Sequence, residues 1–111
     1  MEIEFRKKWD ELLRKMAERF KMEMDLKSML FVIGLQELGM KTDKLSKDQK
    51  LDVMHIAVCS LLEPYGHYKY IGRDKDGWPH WEVVDKLPFL NGEEQELLIR
   101  KCIVEYWEKY N

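Results

Sequence analysis

The tetrapeptide Asp74-Lys75-Asp76-Gly77 constrains this chain more than any other stretch. Aspartate first and glycine last suit a type I turn. Gly77 then takes the left-handed conformation of a G1 bulge, where any Cβ is a steric cost. The flanking residues, from Tyr65 to Val84, hold five of the Tyr and Trp rings and two of the 3 histidines. Only here does the sequence read as β-structure. The turn pairs Asp74 with Trp78, Gly72 with His80, Ile71 with Trp81, Tyr70 with Glu82 and Tyr68 with Val84. Alternation then puts Lys69, Ile71, Trp81 and Val83 on one face, and Tyr68, Tyr70, Gly72, Trp78, His80, Glu82 and Val84 on the other. Pro79 cannot donate to a ladder, so its strand lies at an edge or is interrupted there. A lone two-stranded hairpin is marginal in water, so it must lie on helices as a lid.

The remainder reads as helix. Phe5, Trp9, Leu12, Leu13, Met16 and Phe20 recur at helical spacing with charges between them, predicting an amphipathic helix over Ile3–Glu23. Asp25 suits the N-cap of a second helix that stops near Gly39. Its middle, Met29 to Leu35, is apolar on nearly every side, and Gly34 permits a neighbour to approach closely. Met40–Leu45 is a loop. Ser46 and Gln49 match a capping box for a third helix starting at Lys47, carrying Leu51, Met54, Ile56, Val58, Leu61 and Leu62, and ending at Glu63 before Pro64. Lys86–Leu90 is a connector, and Asn91 caps the last helix, whose stripe runs through Ile99, Cys102, Ile103, Tyr106 and Tyr110. Trp107 lies off the centre of that stripe and Val104 further round. The expected fold is a mainly α, irregular four-helix bundle, one domain over residues 1–111, with a β-hairpin inserted before the last helix.

Composition narrows the function classes. A formal net charge of −2 gives no general reason to expect nucleic acid or an anionic membrane as partner. Cys59 and Cys102 both sit in apolar helical patterns, where a reduced buried thiol is the default. The opening MEIEFRKKWDE lacks the apolar core of a signal peptide, and the longest apolar run, Met29 to Ile33, is too short to cross a bilayer. These features predict a cytoplasmic location and no membrane partner.

The run YIGRDKDGWPHWE, Tyr70 to Glu82, together with the size and the helix layout, resembles a family of small uncharacterised bacterial proteins, seen chiefly in the Bacteroidetes. That resemblance implies an irregular helical array and brings no activity with it.

Candidate chemistry divides into four constellations. His55 and Cys59, four apart on a helix, have the spacing of two metal ligands, with His67 and His80 as further donors. No short C-x-x-C or H-x-x-x-H element supports a zinc site, so no cofactor is expected. His80 and Glu82 share a predicted face with Tyr68 and Tyr70, an arrangement that resembles an acid–base cluster without a nucleophile. The order of three helices, hairpin and helix also permits a winged-helix DNA-binding regulator. Against that stand the apolar third helix and the acidic tip at Asp74 and Asp76. The fourth is aromatic: Tyr68, Tyr70, Trp78 and Trp81, with Arg73 and His80 beside them, form a candidate protein-binding surface. The sequence therefore predicts a non-enzymatic interaction module or homodimer, with a DNA-binding regulator second and a small-molecule or metal-binding protein third. At least one indole is expected at the surface, on the outer face of the hairpin.

Overall fold

The computed structural model describes residues 2–84 and 92–110. Among these, the order is α1 (Ile3–Phe20), α2 (Leu26–Leu38), α3 (Lys47–Leu62), a 3-10 turn (Glu63–Tyr65), β1 (Tyr68–Arg73), β2 (Pro79–Val83) and α4 (Gly92–Tyr110). This is the predicted class, mainly helical with a hairpin before the last helix. The expected connector Lys86–Leu90, the Asn91 cap and the side chain of Tyr110 lie outside the described residues.

Local chemistry fixes the helix ends. Asp25 Oδ1 accepts from Ser28 N–H at 2.8 Å, giving α2 its N-cap. Gly39, at φ +67°, closes its other end. Ser46 and Gln49 form the reciprocal capping box of α3, at 3.1 and 2.9 Å. α1 stops earlier than its periodicity predicts. Lys21 takes a left-handed φ of 55° and returns its N–H to the Ala17 carbonyl, so Met22 and Glu23 lie beyond the helix.

Two apolar clusters carry the packing. The larger joins all four helices through Trp9, Met16, Met29, Ile33, Leu62 and Ile103. The smaller lies between α2 and α3, with Leu38, Val53 and Ile56 beneath Trp78 and Trp81 of the hairpin. Between α2 and α3 the backbones nearly touch. A Cβ on Gly34 would stand 2.0 Å from the carbonyl oxygen of Val53, well inside any permitted contact. Only a glycine allows this approach.

Two expectations about helix faces are corrected. Leu51, assigned to the buried side of α3, is 57% exposed. The stripe of α4 is rotated: Trp107, at 4% exposure, and Val104 are core residues, whereas Ile99 and Tyr106 are only partly covered. α1 packs chiefly on α4 and lies less closely against α2 and α3. α4 packs on α3 as well as on α1, so its buried arc is set by two neighbours whose positions its own sequence cannot specify.

The hairpin turn follows the prediction. Gly77, at φ +88°, donates to Asp74 O, and Asp74 N–H donates to Trp78 O. Gly72 faces His80 as expected, but a bulge then intervenes, so that Tyr70 faces Trp81, Lys69 faces Glu82 and Tyr68 faces Val83. Ile71 is the extra residue. Its insertion moves Tyr68 and Tyr70 to the face of Trp81 and Val83, and away from His80 and Glu82. The edge of β1 is partly occupied, because Tyr70 N–H donates to the Glu63 carboxylate at 2.8 Å.

Candidate functional site

The predicted hairpin surface is built differently from its sequence pattern. Tyr70 and Trp81 stack at 5.3 Å between ring centroids, Tyr68 packs on the larger cluster, and Trp78 and Trp81 pack on the smaller. Burial raises the pKa of Tyr68. Arg73 is committed to structure. Its guanidinium donates to the carbonyls of Leu38 at 2.9 Å, Gly77 at 2.7 Å and Glu37 at 3.2 Å, satisfying the open C-terminal end of α2. His80 pairs through Nε2 with Asp74 Oδ2 at 2.8 Å, while Asp74 Oδ1 accepts from Asp76 and Trp78 N–H. The hydrogen bond from His80, followed by those from the backbone, lowers the pKa of Asp74. Asp74 thus braces the turn from inside.

No indole meets the expectation of a surface ring: Trp9 and Trp107 are buried, and Trp78 and Trp81 are half-buried. The outward face of the hairpin instead presents Lys69, Ile71, His80 and Glu82, all exposed. The acid–base cluster is dispersed as well, since the bulge sends both tyrosines to the opposite face from His80 and Glu82.

The His55–Cys59 pair does meet, with a ring nitrogen 3.6 Å from the sulfur. Among the described residues no three His, Cys, Asp or Glu side chains converge as a metal site. Desolvation, with Glu63 adding to it, pushes the Cys59 thiol up to about 11. Desolvation and Glu105 do the same to Cys102. Both are buried, protonated thiols with little nucleophilic character at neutral pH. Tyr65 donates to Glu105 at 2.6 Å, and that bond raises its pKa and ties the 3-10 turn to α4.

A different feature has the form of a binding site. Between the end of α1, the outer side of α2 and the first half of α3 runs a groove of about 710 Å³. Phe20, Met22, Phe31, Val32, Leu35 and Met54 line it. Its size falls in the range of ligand-binding clefts, and its lining is mainly apolar. Three cations, Arg19, Lys27 and Lys50, stand around it with a single carboxylate, Asp25. That carboxylate is engaged as the cap of α2, and its hydrogen bond from Ser28 lowers its pKa.

The groove is not evident from the sequence pattern, although one signal points to it. α2 is apolar on nearly every side, so every side needs cover. The early end of α1 at Lys21 leaves Phe20 at 38% and Met22 at 54% exposure beside a half-covered flank of α2.

Comparison with known proteins adds no assignment: no family model, no curated protein and no solved structure matches this chain.

Proposed function

We propose that this protein is a non-enzymatic protein-interaction module, and that its recognition surface is the groove beside α2 rather than the aromatic hairpin. The observation that carries the reading is the half-covered flank of α2. Phe31, Val32 and Leu35 of a helix apolar all round border an open groove, together with the exposed side chains of Phe20 and Met22. A contiguous apolar surface of this kind, rimmed by charge, is costly to leave in water and is a common mark of an interaction site. The hairpin has a supporting role as the lid of the smaller cluster, with Arg73 bolting it to the end of α2.

The reading is tested with anilinonaphthalene sulfonate, an apolar anionic dye, on the natively folded protein. Saturable fluorescence enhancement at one site is expected, and the double variant Phe20→Ser/Met22→Ser should abolish it. Because Met22 is mostly exposed and Phe20 only partly so, that variant should lose about 1–2 kcal/mol and stay folded. Absence of dye binding by the native protein, or undiminished binding by a folded double variant, would refute the assignment.

A further inference from the structure

We infer that the occupant of this groove is an acidic amphipathic helix of a partner protein; the inference rests on the interaction reading above.

Shape is the first argument. The α2 wall uses Lys27, Ser28, Phe31, Val32, Leu35 and Gln36. At the α-helical rise this stretch is about 14 Å long, room for two to three turns of a helix lying alongside. Partners that bind in this way present apolar side chains at i, i+3, i+4 and i+7, and the groove supplies an apolar floor for such a row.

Water access is the second. Phe20 and Met22 remain exposed at its border, so the groove is open on one side. A simple alkyl chain seated there would keep much of its length in contact with water. An amphipathic helix places its polar back in that direction and buries only its apolar face. Met22 and Met54 add flexible, polarisable contacts that adapt to differently shaped anchors.

Charge is the third. Arg19, Lys27 and Lys50 gather around this groove in a chain whose net charge is −2. None of the three closes a salt bridge among the described residues. The carboxylate of Asp25 stays charged as it caps α2 and acts on Lys27, which leaves a surplus of two positive charges around the groove. Glutamates or aspartates flanking the apolar row of a partner helix would meet these cations at the rim, where charge sets specificity and rate of association.

The test uses two short helical peptides with identical Leu and Phe anchors at i, i+3, i+4 and i+7. One is flanked by Glu and Asp, the other by Lys and Arg. Binding is followed by chemical-shift mapping and by anisotropy of a labelled peptide. The acidic peptide should bind about tenfold or more tightly than the basic one, and the difference should shrink as salt is added. Shifts should centre on Phe31, Val32 and Leu35. The variant Lys27→Glu/Lys50→Glu changes two exposed side chains and should remove or invert the preference while the protein stays folded. Equal affinity for the two peptides, or a preference unchanged in that variant, would overturn the inference. So would stoichiometric binding of dodecanoate at the same residues without acidic-peptide binding, which identifies a small amphiphile as the ligand. A solution mass that doubles with concentration and reverts in Phe20→Ser/Met22→Ser would overturn it in favour of a second copy. If the dye binds and neither peptide does, the occupant assigned here is wrong while the groove stands. If the dye also fails, the interaction reading falls with it.

Discussion

α2 carries apolar side chains in two directions and meets two different neighbours. Toward α3 the contact is closed to the limit, with Gly34 against the Val53 carbonyl and Leu38 packed with Val53 and Ile56. On the flank of that contact, Phe31 and Leu35, which also touch the smaller cluster, and Val32 border a groove whose walls are Met54 and Lys50 of α3 and the exposed Phe20 and Met22. The residue chemistry of the two sides is alike. What separates them is whether a neighbour arrives, and that depends on the glycine on one side and the early stop of α1 on the other. One stretch of the helix is therefore closed by its neighbour, and the adjoining flank stays partly open to water.

The sharpest way to break this contrast is Gly34→Ala. The added methyl meets backbone rather than a movable side chain, so α2 and α3 must separate. A loss of about 3 kcal/mol, the upper part of the usual overpacking range, is expected in denaturant unfolding. An unchanged midpoint would mean that the closed side is no tighter than the open one. Gly77→Ala should cost less, about 1 kcal/mol, because alanine is strained at φ +88°. The nearest atom to its new Cβ, Met40 Sδ at 3.1 Å, belongs to a flexible side chain and can yield. A cost equal to that of Gly34→Ala would show that the hairpin, not the α2–α3 contact, limits stability.

The smallest effect is that of acid. Asp74 and Asp25 hold their carboxylates below the ordinary range through hydrogen bonds that favour the charged form. At a pH near their ordinary value, about 3.9, the unfolded chain binds more protons at these sites than the folded one. Their contribution is complete above that value and disappears as the pH falls through the lower folded values. Thermal unfolding measured from neutral pH to pH 2 should show a slope that becomes shallower in Asp74→Asn and in Asp25→Asn. A slope identical to wild type in both variants would remove these two groups from the acid response.

Features decided within four residues were legible in the sequence. The Asp25 cap, the Ser46–Gln49 box and the Asp74–Gly77 turn each depend on a side chain or glycine meeting nearby backbone, and all three form as expected. Gly34 was legible as a point of close approach, because a glycine inside an apolar helix lacks another obvious purpose. The bulge at Ile71 was not, since it is set by what Tyr68 and Tyr70 pack against rather than by the turn. The exposure of Leu51 and the burial of Trp107 were not legible for the same reason: each depends on where a distant helix lies. Of the candidate hairpin residues, Tyr70 and Trp81 are brought together, Arg73 serves α2, and His80 serves the turn. The groove was hidden because an uncovered helix side and a covered one have the same sequence.

The bond from Tyr70 N–H to the Glu63 carboxylate also bears on how copies of this chain behave when crowded. A two-stranded sheet has two edges and, left bare, each is a template on which another strand can stack without limit. On β1 that template is interrupted by a charged side chain from the preceding turn, which an incoming strand would have to displace. β2 begins with Pro79, which has no N–H to give, and carries the charge of Glu82 next to its end. The hairpin thus resists edge-to-edge aggregation by means that lie within its own neighbourhood, even though Ile71 and Val83 on its faces stay exposed.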